Sequence, residues 1–154
     1  MKLATLLYIK NGDGEYLLME RLKEPNKGLM SPPGGKLDLS EAESPSACAV
    51  REAFEECSIR SKEEDWELRG IITEKNFPKV GNIMIFLMEY KKQLNVIPPA
   101  CNEGEFRFID YKDISRYKIP VTDEHFLWDK IINSGNGIFE MTLDCTNYPD
   151  IIQK

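Results

Sequence analysis

Residues 34–59, GGKLDLSEAESPSACAVREAFEECSI, combine a glycine pair, a helix start and a cluster of glutamates. Ser44 is a favourable N-cap, and Pro45 suits the first helical position because the N–H that it lacks would have no helical partner there. Apolar residues then recur at helical spacing, which predicts a helix that begins at Pro45 and ends near Ser58. The side chains expected to anchor this helix in a core are Val50, Phe54 and Cys57.

Three glutamates of the predicted helix occupy positions i, i+3 and i+4, so Glu52, Glu55 and Glu56 project from one helix face. Like charges at this spacing destabilise an isolated helix, and Arg51 can neutralise only Glu55, at i+4. Hard divalent cations such as magnesium prefer oxygen ligands, including carboxylates. The glutamates therefore predict a site for one or two such ions, although a solvated charged face is the commoner explanation for this spacing taken alone.

The residues before the helix make the pattern more specific. Gly35, Glu43 and the segment 51–56, REAFEE, resemble the signature of the Nudix hydrolase family. That signature is Gly, five residues, Glu, seven residues, then Arg-Glu-apolar-x-Glu-Glu-x-Gly-apolar. Glu43 and Arg51 are separated by the required seven residues, and Ile59 supplies the closing apolar position.

The chain departs from the signature at two places. Seven residues, not five, separate Gly35 from Glu43, and a count of five reaches Glu41 instead. We prefer Glu43 because the helix start fixes the downstream register, so the two extra residues are expected to enlarge the loop 38–42. In addition, Ser58 replaces the glycine that ends the signature helix with a positive φ, which predicts mild strain or a different helix end.

The resemblance implies hydrolysis of a nucleoside diphosphate linked to another group, with Mg²⁺ or Mn²⁺ as cofactor. Arg51 would orient Glu55 and pair with Glu43. The general base varies within the family, and the candidates here are Glu55 and Glu103, for which a solvated loop acid is the alternative. The cation ligands implied by the resemblance are the carboxylates of Glu52, Glu55 and Glu56 and the carbonyl oxygen of Gly35.

The substrate-binding residues are less constrained. Residues 105–131 resemble the layout of MutT-type triphosphatases for oxidised purine nucleotides, in which an acid near the position of Asp123 contacts the base edge. Phe108 or Trp128 could then stack on the base, while a helix cap and a core tryptophan are the alternatives for Asp123 and Trp128. Lys36 is expected to contact phosphate, and the resemblance to nucleotide-cleansing relatives implies a substrate contact for Arg21, although both could be ordinary surface charges.

Other functions stay open at this stage. Within enzymes, the chain could be a pyrophosphatase for ADP-ribose, nucleotide sugars or dinucleoside polyphosphates, or an RNA 5′-end pyrophosphohydrolase. From a different class, it could be a non-catalytic Nudix module that senses a nucleotide. Such modules often lose signature glutamates, so the presence of Glu52, Glu55 and Glu56 favours an enzyme.

The order of elements predicts an α+β fold in which a mixed sheet is sandwiched between helices, because strands and helices are mixed along the chain without a regular βαβ repeat. A hairpin is expected around the turn 11–14. A last helix is expected to be capped by Thr122 or Asp123 and to end near Asn133. The predicted strands are residues 3–10, 15–21, 66–75, 82–91, 106–110 and 138–143, with a short strand within 29–39 and a helical turn at 113–117.

Bulk properties limit the partners. The 154 residues fit one domain, residues 1–154. A net charge of −6 argues against stable nucleic-acid binding, and a polyphosphate would need a cation to approach so acidic a protein. No apolar run approaches the roughly 20 residues of a membrane span. We expect a cytoplasmic monomer or homodimer that acts on a small nucleoside phosphate, with four reduced cysteines.

Overall fold

The computed structural model describes residues 1–24 and 26–154, and within them nine strands form one mixed sheet. The strand order is β3-β2-β1-β6-β5-β8-β9, with β4 paired to β1 and β7 paired to β2. The strands are β1 (Lys2–Lys10), β2 (Tyr16–Arg21), β3 (Met30–Ser31), β4 (Gly34–Lys36), β5 (Trp66–Phe77), β6 (Gly81–Gln93), β7 (Gly104–Ile109), β8 (Phe139–Asn147) and β9 (Asp150–Gln153).

The predicted signature helix is confirmed as α1 (Pro45–Cys57). The hydroxyl of Ser44 accepts a hydrogen bond from the Ala47 N–H at 3.1 Å and so caps the first turn. Ser58 takes a left-handed conformation with φ 58° at the other end. Serine therefore fills the helix-ending role of the signature glycine, at the strain expected for a side chain in that region.

The prediction that Phe54 anchors α1 in the core is wrong. Its side chain is 48% exposed, and the guanidinium of Arg60 lies 5.0 Å from its ring. The face turned to the sheet is made of small side chains instead, because these let the helix backbone approach the strands closely. The buried apolar residues of α1 are Cys48, Ala49, Ala53 and Cys57.

The expected hairpin is only partly right. β1 and β2 are antiparallel, but they pair only next to the turn, at Lys10 and Tyr16. Further along, the short strand β4 takes over the edge of β1 and sets Gly35 opposite Thr5. The separation of β1 from β2 therefore brings the glycine pair of the signature against the first strand.

Helices cover both faces of the sheet, as predicted. The α1 side is packed by one apolar cluster that includes Ala49 and Ala53. The other side carries a π-helical segment, Asp123–Leu127, which continues into α2 (Trp128–Asn133). The expected cap is wrong, since neither Thr122 nor Asp123 makes a side-chain cap bond and residue 122 is itself helical.

The predicted strands are confirmed with ends that differ by up to four residues, and the short strand expected within 29–39 is resolved as β3 and β4, whereas β9 was not predicted at all. Two parallel pairings, β1 with β6 and β5 with β8, alternate with antiparallel ones, which makes the sheet mixed. In the part of the chain that the structure describes, no helix is long and apolar enough to span a bilayer.

Candidate active site

The glycine pair brings the backbone of β4 into contact with β1 and α1. A Cβ atom on Gly34 would collide with the backbone oxygen of Thr5, and one on Gly35 would collide with the carboxylate of Glu52. At Gly34 the obstacle is backbone, so only glycine allows so close an approach, whereas at Gly35 the Glu52 side chain would have to shift. The backbone of Gly35 therefore lies beside a glutamate of α1.

Glu52 and Glu56 form a buried carboxyl pair on α1. Each is only 8% exposed, and each carboxyl group affects the pKa of the other. Burial, reinforced for Glu56 by its neighbour's charge, raises the pKa of both groups. Oε2 of Glu56 is buried without a hydrogen-bond partner among the described residues. A buried carboxylate oxygen without a hydrogen-bond partner, beside a second carboxylate, is suited as a ligand for a hard divalent cation.

Glu55 lies on the same helix face but closer to solvent, with 55% of its side chain exposed. Nη1 of Arg51 holds it at 3.4 Å. Within residues 1–24 and 26–154, no three His, Cys, Asp or Glu side chains converge on a common metal position. The three glutamates therefore occupy two depths, a buried pair and one accessible carboxylate.

Arg51 connects the elements of the site. Its Nε and Nη2 donate to the two oxygens of Glu43, both at 2.8 Å. Its Nη1 donates to Glu52 at 2.9 Å, and its Nη2 to the Lys36 carbonyl at 3.0 Å. The hydrogen bonds from Arg51 to Glu43 lower the pKa of Glu43 to about 2. Glu41 is exposed in a 3₁₀ turn, so the geometry favours Glu43 as the signature residue.

Glu103 approaches the same site from the loop before β7. It forms ion pairs with Arg21 at 4.0 Å and with Lys23 at 3.4 Å. The charges of Glu103 and Arg21 act in opposite directions on the pKa of Glu56, raising and lowering it respectively. Two predicted site residues from distant segments, Arg21 and Glu103, are therefore brought next to the buried carboxyl pair.

The remaining predicted residues are spread over both faces of the sheet. Lys36 is exposed on β4. Phe108 packs against the apolar cluster under α1, whereas Trp128 lies in the cluster on the opposite face, in edge contact with Tyr8 and Tyr16. Trp128 is fully packed in the core, as its alternative interpretation held.

Asp123 belongs to a second acidic pair, which sequence reasoning missed. It is buried on the α2 side, and burial raises its pKa to about 7. Glu74 of β5 is buried nearby, and burial together with the charge of Asp123 raises its pKa to about 7. The hydroxyl of Tyr8 in the same region has no hydrogen-bond partner. One signal was available, since Glu74 falls on the inward-facing register of Ile72.

Comparisons with known proteins agree with this architecture. A MutT protein from Bacillus halodurans has the same fold with a TM-score of 0.77 and 20% identity, over 100% of this chain and 97% of that one. A MutT protein from Methanosarcina mazei Go1 gives 0.70 and 19%, over 88% and 96%. The NUDIX domain of Shewanella oneidensis NrtR, solved with ADP ribose, gives 0.69 and 14%, over 87% and 88%.

The family assignment comes from a separate comparison. The family model of the NUDIX domain matches residues 1–128, which include the glycine pair, Glu43, all of α1 and Glu103. The match therefore covers most of the chain and contains every element of the site built around Arg51. The chain belongs to the NUDIX domain family of hydrolases.

Proposed function

We propose that this protein is a magnesium- or manganese-dependent hydrolase that cleaves a diphosphate linkage in a nucleoside phosphate. The observation that carries the proposal is the buried pair of Glu52 and Glu56, with an unpartnered oxygen on Glu56, set against the Gly35 backbone. Burying two acids is costly unless something compensates them. A bound divalent cation would provide that compensation.

The residues proposed to hold the cation are the carboxylates of Glu52, Glu55 and Glu56 and the Gly35 carbonyl. When bound, a divalent cation polarises phosphoryl oxygens and offsets the charge of the substrate. This second effect matters because the protein carries a net charge of −6. Arg51 keeps the site assembled, since its bonds to Glu43, Glu52 and the Lys36 carbonyl join α1 to the loop that precedes it.

Two acids can take a proton from the attacking water. Glu55 is the accessible member of the α1 cluster and is oriented by Arg51. Glu103 is also partly exposed, but it is engaged by Arg21 and Lys23. The Glu103 side chain is also less exposed than that of Glu55, 38% against 55%. Glu55 is therefore the proposed general base, with Glu103 as a supporting acid beside the site.

For the substrate we propose a purine nucleoside triphosphate of the MutT type. The similar structures from Bacillus halodurans and Methanosarcina mazei Go1 are both called MutT proteins. Arg21 and Lys36 supply positive charge near the carboxyl cluster. Asp123 is proposed to bind the base edge together with Glu74, since neutral carboxyl groups can both donate and accept hydrogen bonds.

The proposed role of Asp123 predicts that its replacement changes KM more than kcat. Replacing Asp123 with Asn keeps the size of the side chain but fixes its donor and acceptor, so the Michaelis constant for purine nucleoside triphosphates should rise about 10-fold or more, a loss of roughly 1.4 kcal/mol. The kcat should change much less, because Asp123 is remote from the α1 glutamates. Steady-state kinetics measures both constants, and an unchanged KM would assign Asp123 to the core alone.

The substrate class is tested by ranking kcat/KM over a panel with Mg²⁺ present. The panel should contain ordinary and oxidised purine triphosphates, ADP-ribose, nucleotide sugars and dinucleoside polyphosphates. Preference for a purine triphosphate supports the proposal. Preference for ADP-ribose, the ligand in the similar NrtR domain structure, would replace it with the pyrophosphatase alternative. Nucleotide binding without turnover of any compound would identify a sensor.

A further inference from the structure

One polar side chain of β1 has a position that the proposed chemistry does not yet use. Thr5 is only 2% exposed and lies opposite Gly35 in the pairing of β1 with β4. Its hydroxyl donates to the Gly35 carbonyl at 3.4 Å. Thr5 therefore contacts the backbone oxygen that the proposed function assigns to the cation.

A second buried side chain reaches the same place from α1. The thiol of Cys48 is buried and lies 3.5 Å from the Thr5 hydroxyl. The one hydrogen of the thiol can be donated to the carbonyl of Gly35, at 3.8 Å, or to that of Lys36, at 3.7 Å. Two donors from separate elements thus converge on the carbonyl groups of β4.

The placement is unusual for a buried strand, because residues 3–9 are otherwise apolar or aromatic at the covered positions. A valine would fill the same volume without the cost of burying a hydroxyl. A hydroxyl that orients a ligand carbonyl has a function that valine lacks. Groups that hydrogen-bond to metal ligands typically change metal affinity by about 10–100-fold when they are removed.

We propose that Thr5 is a positioning residue for the cation site, which orients the Gly35 carbonyl with Cys48 as a second support. The inference rests on the proposed function, because it assumes that this carbonyl is a cation ligand. Thr5 and Cys48 would set the affinity for the cation without touching it. They would also link the first strand of the chain to α1 through the Gly35 backbone.

The test is a titration of the full chain with Mn²⁺ in the absence of substrate. The electron paramagnetic resonance signal of free Mn²⁺ measures how much of the ion is bound. Thr5→Val should weaken binding about 10-fold, and Thr5→Ser should restore it to near the wild-type value, because serine keeps the hydroxyl. Thr142→Val is the matched control. Thr142 lies on β8, three strands away from β1 in the sheet, and its hydroxyl bonds that of Thr73 at 3.0 Å. Removing this hydroxyl should leave the affinity for Mn²⁺ unchanged.

A second pair of variants keeps the inference testable if Thr5→Val does not fold by circular dichroism. Cys48→Ala should weaken Mn²⁺ binding several-fold, whereas Cys48→Ser, which keeps a donor, should weaken it less. A folded Thr5→Val variant with wild-type Mn²⁺ affinity would overturn the inference. A Thr5→Ser variant that binds Mn²⁺ as weakly as Thr5→Val would also overturn it, because the lost packing of the methyl group would then be the cause.

The outcome for the proposed function is separate. Wild-type protein that binds Mn²⁺ but hydrolyses no diphosphate would refute the hydrolase while leaving the effect of Thr5 on affinity to be measured. Wild-type protein that hydrolyses a diphosphate, with Thr5→Val unchanged in Mn²⁺ affinity, would refute only the positioning role. Wild-type protein that binds no Mn²⁺ would overturn both.

Discussion

Replacing Glu55 with Gln should reduce kcat for the best substrate by about 10²–10⁴-fold, the usual contribution of a general base. The fold should remain intact, because the Glu55 side chain is 55% exposed and Arg51 contacts it through a bond of 3.4 Å. The amide keeps an oxygen for that bond but cannot accept a proton from water. Steady-state turnover with Mg²⁺ and a thermal unfolding curve check the two halves of the prediction.

The matched control is Glu41→Gln, which makes the same chemical change in an exposed acid of the loop before α1. Its rate should stay within about 2-fold of wild type, since surface changes of this kind are nearly neutral. Glu103→Gln separates the two candidate bases and should cost less than Glu55→Gln. Near-native turnover of Glu55→Gln, or a larger loss for Glu103→Gln, would show that Glu55 is not the base.

The second large predicted effect is the change in the free energy of unfolding with pH. Asp123 and Glu74 have a pKa of about 7 in the folded protein, because burial disfavours their charged forms. The unfolded chain has ordinary values of 3.8 and 4.5. Between these limits the folded state binds more protons than the unfolded state, so the free energy of unfolding falls as pH rises. The loss begins near pH 4 and is complete above pH 7.

Between pH 5 and pH 8 this loss should be on the order of 3 kcal/mol for each acid, since about two pKa units of its shift fall in that range and one unit corresponds to about 1.4 kcal/mol. Urea unfolding at pH 5 and pH 8 measures it. Asp123→Asn or Glu74→Gln should be more stable than wild type at pH 8, with a smaller difference between the two pH values. A wild type more stable at pH 8, or variants with an unchanged pH difference, would mean that the two acids are not buried in this way.

Local features of the sequence were sufficient to predict α1. The Ser44 cap, Pro45 and the glutamate spacing all act within one helix, so no distant contact was needed. The resemblance to the Nudix signature also implied the pair of Glu43 and Arg51 that the structure forms at 2.8 Å. The Phe54 prediction failed because periodicity leaves the choice of buried face open, and the close approach of α1 to the sheet selects alanine instead.

Longer-range features could not be predicted in the same way. Gly35 meets Thr5 because β4 displaces β2 from the edge of β1, a pairing that no local pattern encodes. Glu74 meets Asp123 only through the stacking of the π-helical segment on β5. β9 is short and exposed, so its apolar signal is weak. These contacts depend on the topology of the sheet, which the sequence alone left undetermined beyond its mixed character.

The central claim is that the α1 carboxyl cluster supports cation-dependent cleavage of a diphosphate. Its most direct test is hydrolysis of a panel of diphosphate compounds by the purified wild-type protein, followed by separation of the nucleotide products, first in EDTA and then after excess Mg²⁺ is added. The account predicts turnover of at least one compound that is absent in EDTA and restored by Mg²⁺. Turnover that is indifferent to EDTA, or no turnover of any compound, would contradict it.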